Sequence, residues 1–220
     1  MNGIDVNGDS IFLFTEGGRY HWGVNNDNNY AFINSSGEEY SGNMNFVNQV
    51  SSALNKLMEG EVGKSLVLSL SSNTTRGVSL MKSKSNQASP EGNMVGWNPD
   101  NMNGGIDVFN NTLRDPFIGL GHELAHIQDT WDKTRDDSIW FSYINDKGRL
   151  DTVPNNEKYA TYYENMIRNE HNIPLRASYG IGPNEMWDRN SMIINYITDE
   201  SLFYPETNNP IINRLKINNE

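Results

Sequence analysis

The run Arg114-Asp115-Pro116-Phe117-Ile118-Gly119-Leu120-Gly121-His122-Glu123-Leu124-Ala125-His126 decides how the rest of the chain is read. Asp115 suits a helix N-cap and Pro116 the first helical position. The apolar residues that follow predict a helix from Pro116 to about Trp131 with a dry rear face. His122 and His126 are four apart, so both imidazoles leave one face of that helix and can share one ion. Glu123 stands beside that face. Two His in this spacing with the intervening Glu predict a zinc site in which Glu123 takes a proton from the bound water.

A catalytic zinc needs a third protein ligand and keeps a fourth position for water. Three carboxylates qualify. Asp132 follows His126 by six residues, but that route needs a sharp turn and places Asp129 where Gly usually stands. Glu157 opens a second predicted helix, and small Ala160 on its face would let the two helices approach closely. Glu164, two turns on, shares that face as a ligand or as an acceptor behind a zinc-bound His.

Composition narrows the class. The 220 residues suit one domain with a full core or one domain plus a small appendage. There is no Cys, which excludes disulfide scaffolds, thiol nucleophiles, Cys-rich zinc modules and iron-sulfur sites. A metal must then be held by His and carboxylates. With 17 basic and 28 acidic residues the net charge is -11, and the absence of a basic stripe argues against nucleic acid as a partner. No apolar run approaches membrane-spanning length, and the amino terminus has no signal-peptide pattern. Asn makes up roughly one residue in seven, well above average usage; AT-rich codon usage or a turn-rich surface is enough to account for it.

Outward from the motif, Ile11–Phe14, Tyr20–Val24 and Tyr30–Ile33 read as short strands in hairpins. Asp5 to Glu16 has the outline of a calcium loop, but Ser10 replaces the Gly such a loop requires, so a turn is expected. Phe46, Val47, Val50, Leu54, Leu57 and Met58 predict an amphipathic helix over Asn43–Gly60. Leu66–Leu70, Gly77–Met81 and Met94–Trp97 read as strands, with a loop over 82–93 and a charged connector over 132–151. The second helix spans Pro154 to about Asn169 and ends at Asn172-Ile173-Pro174. One or two short helices, such as Asn190–Asp199, and a Pro-interrupted tail complete the chain. This order is α+β: a small, mostly antiparallel sheet packed on helices, with residues 1–40 as a hairpin region and 41–220 as the main domain.

His122-Glu-Leu-Ala-His126, then Glu157-x-x-Ala160-x-x-x-Glu164-Asn165-x-x-Arg168, then Ile173-Pro-Leu-Arg176-Ala-Ser-Tyr179 together resemble the NleD-type zinc metallopeptidases of bacterial type III effectors and Rhs-type toxins. The resemblance covers about Asp115 to Tyr179. It implies a zincin-like domain with His122, His126 and Glu157 as zinc ligands and Glu123 as catalytic base. It also implies protein substrates, MAP kinases among them, and secretion or injection into a target cell. An immunity protein or a secretion chaperone would be a further partner. Tyr179, Arg176 and His171 are the candidates for stabilising charge on the scissile carbonyl. The Gly77–Met81 strand is a candidate for holding substrate as an added β-strand. Two other readings compete: a zinc amidase acting on cell-wall peptides, and a catalytically inactive binding module.

Overall fold

The structure, a computed structural model, describes residues 10–145, 147–180, 187–198 and 200–204. The expected tail beyond 204 and residues 5–9 of the Asp5–Glu16 turn lie outside the described residues, and Ile11–Thr15 of that segment is strand. Three strands open the chain, β1 (Ile11–Thr15), β2 (Gly18–Val24) and β3 (Tyr30–Ile33), followed by helices α1 (Met44–Leu57) and α2 (Glu61–Ser71). Next come β4 (Val78–Lys82), β5 (Gln87–Ala88), β6 (Met94–Trp97), β7 (Ile106–Asp107) and α3 (Pro116–Asp132). The hairpin β8 (Ile139–Ile144) and β9 (Leu150–Pro154) leads into α4 (Asn156–Glu170). Short strands β10 (Arg176–Ser178), β11 (Ile194–Asn195) and β12 (Glu200–Ser201) follow.

The main sheet has the order β3-β2-β1-β4-β6-β5. It is mixed: three of its pairings are antiparallel, and β1–β4 and β4–β6 are parallel. Ile11, Leu13, Val78, Leu80 and Val95 share one buried core with Val50, Leu54 and Leu57 of α1, Leu66 and Leu70 of α2, and Ile118 and Leu124 of α3. The α+β class of the sequence reading therefore holds, with a sheet less antiparallel than expected.

Four readings of the sequence change. Leu66–Leu70 is helical, because Val62, Leu66 and Leu70 recur every four residues on a buried face that a strand of five could not supply. The start of α2 has no side-chain cap of its own. The Glu170 carboxylate at the end of α4 fills that role, accepting a bond of 2.6 Å from the Val62 amide. The charged connector contains the β8–β9 hairpin, whose Trp140 and Phe141 turn inward while Ile139, Tyr143 and Ile144 stay exposed. Residues 190–198 form a 3-10 turn and β11 instead of a helix. Finally, β4 lies inside the sheet and not at its rim: Val78 and Ser79 pair with β1 and Ser79 to Lys82 with β6, so only its Leu80–Lys82 stretch lacks a partner on the β1 side; the outer rims of the sheet are β3 and β5.

Candidate metal centre

Helix α3 starts as its sequence requires. The Asp115 side chain accepts from the Phe117 amide and Pro116 fills the first turn. Its end is set by Lys133 in the left-handed region, φ 62°. His122, Glu123 and His126 fall in the middle of this helix and all three are buried. Helix α4 lies across it, with fully buried Ala160 in the shared core. Bulk is limited at Gly121 too, where a Cβ would stand 2.9 Å from the Ile167 side chain.

That crossing brings Glu157 in front of both imidazoles. His122 Nε2 lies 3.1 Å from Glu157 Oε2, and His126 Nε2 lies 3.3 Å from Glu157 Oε1. One donor atom from each of these three residues falls within 4.8 Å of the others, so the group could hold a metal ion; it is the one such group among the described residues. Burial would raise the Glu157 carboxyl, but hydrogen bonds from both imidazoles outweigh it and hold the group well below the usual carboxylate range. Burial would likewise lower His122, yet bonds to Glu157 and Glu164 raise it to about 9. A divalent cation would therefore compete with a proton for the same face. The Glu123 carboxyl is raised, chiefly by burial and against the pull of both imidazoles.

Glu164 sits one layer back and is fully buried. Its Oε2 accepts from His122 Nδ1 at 3.0 Å and from Arg176 Nη1 at 3.2 Å, and lies 3.1 Å from Arg114 Nη1. Its Oε1 accepts from Arg168 Nε at 2.9 Å. Burial of this carboxyl is overcome by the three guanidinium groups, which hold it well below its ordinary value. An acceptor so firmly ionised requires a proton on His122 Nδ1 and leaves Nε2 as the ligating nitrogen. The donor set thus fits a small divalent cation: two imidazoles, one carboxylate, and a fixed tautomer.

The remaining candidates divide by position. The Tyr179 hydroxyl hydrogen-bonds the Glu157 carboxylate, and burial with that negative neighbour raises its pKa. Its ring packs 5.9 Å from Trp140 and 6.1 Å from Phe141 of the β8 strand. Arg176 is turned inward: besides Glu164 it donates to the Ser178 carbonyl at 3.3 Å and the Tyr179 carbonyl at 2.8 Å. A Cβ on Gly105, which has φ +70°, would run into the Arg176 guanidinium. Asp132 is exposed and accepts from Gln128, outside the group. His171 caps the far end of α4 and packs on Phe117 at 4.9 Å. Reading the sequence overlooked Arg114, which looks like an ordinary residue before an N-cap, and the hairpin that walls Tyr179.

A buried pair of His with one facing carboxylate and a Glu beside the first His is an arrangement suited to metal-assisted hydrolysis. Residues 34–179 match peptidase family M91, described as "Effector protein". The chain belongs to this NleD-type family of bacterial effector peptidases. Family membership makes it a protease acting on proteins and links it to delivery into host cells. No curated protein and no solved structure matches the chain. Among the described residues no helix is long and apolar enough to cross a membrane.

Proposed function

We propose that the protein is a zinc-dependent endopeptidase of zincin-like architecture that cleaves proteins of the cell it is delivered to. The observation that carries this reading is the convergence of His122 Nε2, His126 Nε2 and the Glu157 carboxylate on one point, with Glu164 fixing His122 from behind. A bound zinc supplies a more acidic water and polarises the scissile carbonyl. Glu123, adjacent to that point and raised by burial, takes the proton of the attacking water and passes it to the leaving amine, work that suits a carboxylate shifted towards neutrality. Tyr179, still protonated at any working pH, turns its hydroxyl from Glu157 to the oxygen that gains charge. Arg176 contributes by holding Glu164 and the Tyr179 backbone. Edge strand β5 is the rim for an extended substrate, since Asn86 just before it lies against Gly119 of α3, within a turn of His122.

MAP kinases are the substrates the family resemblance suggests. Residues 1–40 are read as a hairpin region joined to a peptidase domain over 41–220, although its strands share the main sheet. The test is Glu123→Gln. Cleavage of a susceptible protein should fall by about 10²–10⁴-fold, while metal analysis still finds one zinc per chain. Undiminished cleavage would remove the assignment, and cleavage of cell-wall peptides but no protein would favour the amidase reading.

A further inference from the structure

The main sheet is split. β1 and β4 run parallel but pair at only two positions, Ile11 with Val78 and Phe12 with Ser79. Past that point Leu13 to Thr15 pair only with β2, and Leu80 to Lys82 pair only with β6. Two strand edges therefore face each other without a ladder, in the interior of the sheet. A cavity of about 1010 Å³ lies along them, touched by Leu13 and Phe14 on one side and by Leu80 and Met81 on the other. Consecutive strand residues point to opposite faces, so a cavity lined by both members of each pair opens between the strands. None of its lining residues belongs to α3 or α4, which separates it from the metal centre. β1 also precedes the family match, which starts at residue 34.

Unpaired edges are templates for another strand. Alternate residues of these stretches turn their backbone groups into the gap, the others being committed to β2 and β6, and an alternating segment would set its side chains against both faces. On the outer face Phe14 is 71 % exposed and Met81 46 % exposed; on the inner face Phe46 of α1 lines the floor. Met adapts to varied side chains. Arg19 and Lys82 stand in this lining against Glu16 alone, a locally basic spot in a chain of net charge -11, which favours acidic flanks on the occupant.

We infer that the split takes an extended segment of the protein substrate, apolar at alternate positions and acidic at its ends, inserted as a strand between β1 and β4. Treating the occupant as substrate rests on the peptidase reading; capture of a strand does not. The probe is a fluorescein-labelled peptide of alternating Val and Thr flanked by Glu, titrated into the full-length Glu123→Gln protein. Saturating peptide should slow amide hydrogen exchange at least tenfold within 13–15 and 80–82. N-methylation of alternate peptide residues should weaken binding at least tenfold, as should the double variant Phe14→Asp, Met81→Asp at two exposed positions. Absence of binding, equal binding of the N-methylated peptide, or slowed exchange only elsewhere would overturn the inference. A second arm follows β-casein cleavage by the otherwise wild-type chain: the double variant should raise KM at least tenfold with kcat unchanged. An unchanged KM would overturn the substrate assignment. If wild type cleaves nothing, the peptidase reading fails, and strand capture still stands or falls on the binding arm.

Discussion

At the scale of single residues, Glu164 governs the centre without facing it. One buried carboxylate meets three guanidinium groups and one imidazole, and removing its charge would strand three buried cations. Breaking a buried pair of this kind costs about 3–5 kcal/mol, and losing an outer-layer acceptor typically costs about 10–100-fold in metal affinity. Glu164→Gln should therefore lower both the melting temperature and zinc affinity. Unaltered zinc affinity in a folded variant, measured by competition with a chromogenic chelator, would refute its orienting role. The raised His122 pKa has its own signature. Because the folded-state value, about 9, lies above the unfolded one of about 6.5, its contribution is complete below pH 6.5 and is lost as pH rises through 9. Chelator-treated protein should thus lose thermal stability over that window, while zinc-loaded protein should not. A flat profile for the metal-free protein would contradict the placement of His122 between two carboxylates.

The metal cluster was legible because its spacing is local: the two His stand four positions apart on one helix, and Glu157 opens the next. What three arginines do to Glu164 was not, since Arg114, Arg168 and Arg176 meet only after β7, α3, α4 and β10 have packed. The sequence offered Arg176 for the scissile carbonyl and gave Arg168 no role, whereas both donate to Glu164.

At the scale of elements, Leu66-Val-Leu-Ser-Leu70 shows how a short apolar run misleads. Its alternation fits a strand, yet Val62 extends Leu66 and Leu70 into a four-residue period, and a carboxylate from α4 caps the start. The β8–β9 hairpin escaped notice because charges in its turn and exposed apolar residues on one face hide the alternation. A substitution tests the helical assignment. Gly63→Ala should favour a helix by about 1 kcal/mol on propensity, but its Cβ would press on the Leu57 carbonyl at the close of α1. Overpacking costs about 1–3 kcal/mol, so the melting temperature should fall. A rise would show that α1 and α2 do not meet as described.

At the scale of the whole molecule, a mixed sheet with helices against its core face sets α3 between the sheet and α4, and the centre forms where α3 and α4 cross. The family match begins one residue after β3 ends and stops at Tyr179, so it holds the whole cluster while leaving β1, β2 and β3 outside. The acidic surface and the absence of Cys, which first served only to exclude partners and thiol chemistry, now agree with a His-His-carboxylate centre in a protein that meets other proteins. The most direct test is to map new protein termini in host cells expressing the wild type beside cells expressing Glu123→Gln. The account predicts a small set of internal termini present with the wild type and absent with the variant. The same termini in both, or none in either at matched expression, would contradict it.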